Sequence, residues 1–293
     1  MTKISHGLEY AAIYTLTRLV QIMPGRLADW LAIALGNLAY LLMTTRREVA
    51  LNNLRRAFGN EKGERELAQI TRKVFINIAR TLVEFARQPV LKKEKILEMI
   101  DAEGAEFLGQ VKSEGKGAML VAGHFGNWEL FGGWAAALGY PVDFLVGQQH
   151  NRRVDELMNS FRRALGVGII PIGVSSRHVI KSLRANRMVA VVNDQHSATG
   201  AVVVNFFGRP AASHKGPAAF AVKMDCPIIT GALLRVRYGR HHAIVLPPIY
   251  PPKTGDEEKD ILLMTQQFTD SLERFIRQYP EQWMWTHRRW KLD

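Results

Sequence analysis

The chain has 293 residues, 47% of them hydrophobic, and 39 basic against 27 acidic side chains, a formal net charge of +12. That length supports one large core or a core with a small appendage. The charge balance favours anionic partners: nucleic acid, anionic lipid headgroups, phosphorylated substrates or an acidic carrier protein. The lone Cys226 excludes an internal disulfide and any multi-cysteine metal cluster, and it fits a reducing compartment.

Residues 8–23 are apolar-rich but broken by Glu9, Arg18 and Gln21. After Pro24-Gly25-Arg26 and Asp29, residues 30–45 carry no charge until Arg46, Arg47 and Glu48 close the run. A bilayer span takes ~20 apolar residues with a lower limit near ~17, so this run is borderline. It lacks the strongly basic start and the small-residue cleavage site of a secretory signal. Three arrangements fit: a span, an interfacial amphipathic hairpin formed with residues 8–23, or a buried helix. Arg46, Arg47, Arg55 and Arg56 follow at once and suit anionic headgroups, which favours membrane association through residues 8–45.

Residues 1–90 read as mostly helical. Leu51, Leu54, Ala57 and Phe58 recur at helical spacing, as do Ile70, Val74, Ile78 and Leu82, with a polar turn at 59–63. From about Lys116 the period changes. Strands are expected at 118–122, 142–146, 169–172, 188–193, 202–206, 227–234 and 242–246. Helices are expected at 127–138, 154–165, 176–184, 216–223 and 259–279. Strands alternating with helices predict an α/β fold with a mostly parallel central sheet flanked by helices. The expected organisation is a helical region over 1–90, membrane-associated, followed by an α/β domain over 91–293.

The segment Gly123-His124-Phe125-Gly126-Asn127-Trp128-Glu129 carries the strongest chemical signal. It sets a histidine at a strand end and a carboxylate in the first turn of the next helix, at the strand terminus where open α/β sheets keep their ligands. A carboxylate beside an imidazole fixes its tautomer and stabilises the imidazolium, which suits a general base. The Phe125-Gly126 turn can bring the two together. The structural alternative is a core or capping histidine with Glu129 complementing the helix dipole. The two-histidine spacing of zinc proteases and the Gly-x-Ser-x-Gly elbow of serine hydrolases are both missing. Asn193-Asp194-Gln195-His196 suits substrate hydroxyls or a structural turn. Residues 206–217 read as a turn into a helix, with Ser213 as a possible N-cap and with Arg209 and Lys215 near a helix start that suits a phosphate or carboxylate. Residues 280–291 interleave aromatics with cations, a pattern found on nucleobases, at membrane interfaces and in buried tails.

In order along the chain, His-Phe-Gly-Asn-Trp-Glu, Asn-Asp-Gln, Phe-Phe-Gly-Arg-Pro-Ala and Pro-Glu-Gln-Trp-Met-Trp-x-His-Arg-Arg-Trp-Lys resemble the late (lauroyl/myristoyl) acyltransferases of bacterial lipid A biosynthesis, in the lysophospholipid acyltransferase superfamily. Arg46-Arg47, Asn52-Asn53-Leu54 and Ala57-Phe58 resemble their N-terminal block, so the likeness covers nearly the whole chain. The resemblance implies a glycerolipid acyltransferase-like fold and transfer of a fatty acyl group from acyl carrier protein to a hydroxyl of a lipid A precursor of the Kdo-lipid A type. It implies His124 as base and Glu129 as its orienting carboxylate, with no covalent intermediate, no metal and no cofactor beyond the acyl carrier thioester. It also implies a substrate-binding set of Gly126, Asn127, Asp194, Gln195, Arg209, Ser213 and Gly216.

One departure bears on the acceptor. The family usually has an arginine shortly before an asparagine, whereas here Arg152 and Arg153 follow Asn151. Arg152 or Arg153 then takes the anionic contact, and Arg162 with Gly166 fits the next family spacing. Phe125, Trp128, Phe131 and Trp134 are candidates to line an acyl groove. The implied location is the inner membrane, with the catalytic domain on the cytoplasmic face. The competing readings are an acyltransferase with another glycolipid or phospholipid acceptor, and a non-catalytic basic protein of the membrane surface. No dedicated nucleic-acid motif is present, and no nucleic-acid partner is expected.

Overall fold

The computed structural model describes residues 3–59, 61–173 and 175–291. Four helices open the chain: α1 (Lys3–Ile22), α2 (Gly25–Leu42), α3 (Thr44–Phe58) and α4 (Glu64–Arg87). The expected turn at 59–63 falls between α3 and α4, with residue 60 outside the described residues. Pro24 holds an extended backbone between α1 and α2 and so separates the two apolar runs. In α4, Leu67, Ile70, Thr71 and Val74 form one buried face, and Glu64 and Glu66 in the first turn oppose Arg87 in the last. α2 packs closely on α4: a Cβ on Gly36 would meet the Ile76 backbone at 2.5 Å, so only glycine fits that crossing.

α1 and α2 leave much of their apolar surface uncovered. Leu16, Leu19, Ile22, Leu38, Leu41 and Leu42 are exposed, and Trp30 is 71% exposed. Among the described residues no single helix is long and apolar enough to cross a membrane, and α2 with α3 reaches that length only as a pair bent by 90°.

The remaining elements are α5 (Lys93–Met99), β1 (Ile100–Glu103), α6 (Glu106–Ser113), β2 (Ala118–Ala122), α7 (Trp128–Ala137), β3 (Val142–Val146), α8 (Arg152–Ala164), β4 (Gly168–Pro171), α9 (Ser175–Arg184), β5 (Met188–Val192), β6 (Ala201–Phe206), β7 (Arg209–His214), α10 (Gly216–Met224), β8 (Ile228–Arg237), β9 (Arg240–Val245) and α11 (Glu257–Gln278). Seven strands form one sheet in the order β1-β9-β8-β2-β5-β3-β4. All neighbours are parallel except β8 and β9. The central β2 reads Ala-Met-Leu-Val-Ala and its first four residues are buried, as expected of a strand covered on both faces. This is the mostly parallel, helix-flanked α/β architecture predicted from the alternation of elements.

Residues 202–206 form the expected strand, but outside the main sheet. They belong to β6, which pairs only with β7 in a separate antiparallel hairpin. Within the expected turn over 206–217, residues 209–214 are instead the second strand of that hairpin, so Ser213 lies inside β7 and does not cap a helix. α10 begins after Lys215 without any side-chain cap. The hairpin was hidden because its two turn residues, Phe207 and Gly208, both have positive φ, and phenylalanine is an uncommon residue there. The apolar core also runs across residue 90. Leu54, Phe58, Leu67 and Val74 of the helical region share one cluster with Phe125, Phe206, Trp283 and Trp285.

Candidate active site

β2 and β5 are parallel neighbours with Ala122 opposite Val192. The chains leave both strands in the same direction, so the residues two positions beyond each end, His124 and Asp194, stand side by side. Asp194 Oδ1 lies 2.6 Å from His124 Nδ1, and Oδ2 accepts from the His124 backbone N–H at 2.6 Å. Trp283 Nε1–H donates to the same Oδ2 at 2.7 Å. The carboxylate is therefore held on both oxygens, and it is 2% exposed against 22% for the imidazole. An ionised carboxylate only accepts, so Nδ1 carries the proton of the neutral ring and Nε2 remains to take another. Burial disfavours the His124 imidazolium, but the charge and hydrogen bond of Asp194, with the more distant charge of Glu129, raise its pKa above the ordinary value. Burial likewise opposes ionisation of Asp194. The charge and hydrogen bond of His124, the Trp283 indole and the His124 amide overcome it, and the carboxyl sits below its usual range.

The expected pairing of Glu129 with His124 is corrected by this geometry. Glu129 accepts two hydrogen bonds from Arg162, at 2.6 Å from Nη2 and 3.0 Å from Nε. It lies one element away on α7, while the register of β2 and β5 delivers Asp194 directly to the ring. Glu129 and Arg162 both line the cavity beside His124, as a fork-to-fork ion pair on its wall.

The loop that carries His124 is pinned from several sides. Met284 N–H donates to the His124 carbonyl at 3.0 Å, and Gly126 N–H donates to Gln282 O at 2.9 Å. Gly126 has φ +56°, and a Cβ there would meet Leu233 O at 2.0 Å. Thr81 of α4 donates to the Gly126 carbonyl at 2.9 Å. Asn127 caps α7 by accepting from Leu130 N–H at 3.0 Å, and its amide donates to Glu84 at 2.6 Å. Glu84 in turn pairs with Arg235 at 2.6 Å. Burial opposes its ionisation, but Arg235 and His241 drive its pKa far below the ordinary value. Removing one partner of such a buried pair leaves an uncompensated charge and costs about 3–5 kcal/mol.

A cavity of about 910 Å³ opens over the carboxyl ends of β2, β3 and β5. Its lining includes the apolar Leu120, Trp128, Phe131, Phe144 and Ala190, and also His214, Lys215, Gly216 and Lys223. His124 lies on its wall and packs edge-on against Trp128 at 5.1 Å between ring centroids.

Of the residues expected to bind substrate, Gln195 and Gly216 line this cavity and Asp194 backs its histidine. The others do not line it and have local structural roles. Gly126 and Asn127 shape the His124 loop. Arg152 and Arg153 are exposed in the first turn of α8, with Arg153 over the Tyr10 ring. Arg209 donates to the Arg56 carbonyl, and buried Ser213 accepts from Arg289. The arginine that does reach the cavity is Arg162. Of the expected groove residues, Trp128 and Phe131 line it, whereas Phe125 and Trp134 belong to the closed core. The sequence reading had no role for Trp283 against Asp194; its signal was an aromatic in a segment with no periodic pattern.

The family model described as bacterial lipid A biosynthesis acyltransferase matches residues 2–292. The chain is 25% identical to a phosphatidylinositol mannoside acyltransferase of Mycobacterium tuberculosis (strain CDC 1551 / Oshkosh), over 72% of this chain and 66% of that protein's own length. It is 24% identical to the enzyme of the same name from Mycolicibacterium smegmatis, over 94% of this chain and 89% of the relative. It is 23% identical to the lipid A biosynthesis myristoyltransferase of Escherichia coli K12, over 91% and 81%. Among solved structures, the 1-acyl-sn-glycerophosphate acyltransferase of Thermotoga maritima aligns with a TM-score of 0.38 and 14% identity, covering 83% of this chain and 97% of that one.

Proposed function

Because the chain belongs to the bacterial lipid A biosynthesis acyltransferase family, we propose that it transfers a fatty acyl group from the thioester of acyl carrier protein to a hydroxyl of a lipid A precursor of the Kdo-lipid A type. The observation that carries this reading is the His124–Asp194 pair at the wall of a cavity with a largely apolar lining. His124 Nε2 takes the hydroxyl proton as the acceptor oxygen attacks the thioester carbonyl. The tetrahedral intermediate then collapses, the carbon–sulfur bond breaks, and the leaving thiolate recovers the proton from the imidazolium. The ester forms without an acyl-enzyme, and His124 returns neutral. Asp194 stabilises the imidazolium between the two proton transfers, and Glu129 adds its charge from farther away while anchoring Arg162. The chemistry asks for no metal or cofactor beyond the acyl carrier thioester.

The exposed apolar faces of α1 and α2 support docking on an anionic membrane, where a surface-confined enzyme meets a water-insoluble acceptor. Arg177, Lys181 and Arg184 are exposed on α9, just beyond the cavity residue Ile172, and suit an acidic carrier arriving from the aqueous side. That arrangement fits the cytoplasmic face of an inner membrane.

The mycobacterial relatives favour a second acceptor, a mannosylated phosphoinositide. Incubating the purified protein with acyl carrier thioester and each acceptor, then weighing the products, separates the two. One added acyl unit on the lipid A precursor is the expected result. Acylation of the phosphatidylinositol mannoside alone would reassign the acceptor, and no product on any lipid would end the reading.

Ala190 lines the cavity between its strand partners Leu120 and Phe144, which line it too. Ala190→Leu is expected to shorten the preferred acyl chain. Each methylene displaced from this apolar lining forfeits ~0.8 kcal/mol, so losing two lowers kcat/KM for the longest accepted chain by about tenfold. Competition between acyl carrier thioesters of graded length measures it, and an unchanged length profile would place the acyl chain elsewhere.

A further inference from the structure

Three segments converge beside the cavity residue His214: the loop 193–200, the end of β7 and the C-terminal tail. Asn193 Nδ2 donates to His214 O at 3.0 Å, Ser197 N–H to Ala212 O at 3.4 Å, and His196 N–H to His287 Nε2 at 3.4 Å. Arg289 closes the junction. Its guanidinium donates to Ala212 O at 2.6 Å and to Ser213 Oγ at 2.5 Å, and it lies over the Phe206 ring at 5.2 Å.

Arg289 is only 2% exposed, yet among the described residues no carboxylate forms an ion pair with it, and its Nε has no partner. His196 Nδ1 and Trp290 Nε1 are also buried without partners. Among the described residues the carboxylate that acts on Arg289 electrostatically is Asp194, which is already engaged by His124 and Trp283. Lys215, by contrast, has its charge met by Glu258 at 2.9 Å. A buried guanidinium without a counter-ion is expensive, and proteins keep such a group where an anion completes it.

Resting on the acyl-transfer reading above, we infer that His196, His214, His287, Arg289 and Lys291 form a subsite for a phosphate group of a substrate held in the cavity. His214 is the member on the cavity wall, and Arg289 supplies the fixed positive charge behind it. Guanidinium, ammonium and imidazole N–H groups are the donors that phosphate oxygens take in charge-assisted hydrogen bonds. Burial, with Lys291, Arg289 and His214 nearby, lowers the His196 pKa. Burial and Arg289 lower that of His214. Burial with Lys291, His124 and Arg289 does the same at His287, against the pull of Asp194. At all three burial is the largest cause, and neighbouring cations add to it. The phosphate is either one carried by the acceptor lipid or the phosphodiester of the donor's phosphopantetheine arm, since both enter the same cavity.

The test is steady-state transfer by the full chain with two matched pairs of substrates. The acceptors are one glycolipid with and without its phosphate groups. The donors are the acyl carrier thioester and the phosphate-free acyl N-acetylcysteamine thioester. Lys291→Gln and His214→Gln are the main variants, because Arg289→Gln removes a buried group and can fail to fold. The ratio of kcat/KM for phosphorylated over dephosphorylated acceptor is expected to fall on the order of tenfold in each variant, carried mainly by KM. A fall confined to the donor ratio assigns the subsite to the phosphopantetheine phosphate. Unchanged ratios in both pairs for both folded variants overturn the inference. If the wild-type chain acylates none of the acceptors, the acyl-transfer reading fails on its own. Phosphorus NMR line broadening of inorganic phosphate then decides the subsite: broadening by wild type that Lys291→Gln loses supports it, and no broadening by wild type rejects it.

Discussion

His124→Ala is expected to lower kcat/KM for acyl transfer by about 10³-fold while the protein still folds, because general base catalysis contributes typically 10²–10⁴-fold. The ring is partly exposed on the cavity wall, and its Nδ1 hydrogen bond serves Asp194 and not the packing of the core. Steady-state rates with an acyl carrier thioester, together with circular dichroism of the variant, separate lost chemistry from lost structure. Near-normal transfer by a folded His124→Ala protein would remove the imidazole from the mechanism.

Asp194→Asn is expected to cost nearly as much, about 10²–10⁴-fold, for two reasons that act together. The amide cannot supply the negative charge that stabilises the imidazolium, and its NH₂ can force the proton onto the wrong ring nitrogen. The pH profile distinguishes this from a general structural fault. Wild-type kcat/KM should rise as pH climbs through a His124 pKa held above 6.5, since only the neutral ring accepts a proton. Without the carboxylate charge that pKa falls, so the rising limb of Asp194→Asn moves to lower pH while its plateau drops. Glu129→Gln should move the limb in the same direction by less, because Glu129 acts on His124 through space and spends its hydrogen bonds on Arg162. A larger shift for Glu129→Gln than for Asp194→Asn would restore Glu129 as the main partner of the imidazole.

The contrast between these two carboxylates shows how much of the site was legible along the chain. His124 stood out because it follows an apolar strand-like run and precedes a helix, and both features are local. Glu129 is singled out by its nearness in sequence, its place in the first turn of the next helix and the motif it shares with His124. Asp194 was visible as a polar residue at another strand end, but nothing local says that β5 lies beside β2. Trp283 was harder still, since its indole reaches Asp194 from the C-terminal segment across a sequence separation of 89. The hairpin of β6 and β7 was missed for a local reason: its turn uses phenylalanine where glycine or asparagine would have announced positive φ.

The amino-acid order alone determined the elements whose pattern is short-range: the helical first 90 residues, the apolar strands β2, β3 and β5, the histidine at a strand terminus and the positive charge of the whole. Only the tertiary structure decided which carboxylate holds that histidine, which arginine reaches the cavity and which cations of the tail gather around a buried guanidinium that no described carboxylate pairs. The reason is that strand order and register are set by packing between distant segments. Pairing Ala122 with Val192 carries His124 and Asp194 to the same place, 70 residues apart in sequence and 2.6 Å apart in space.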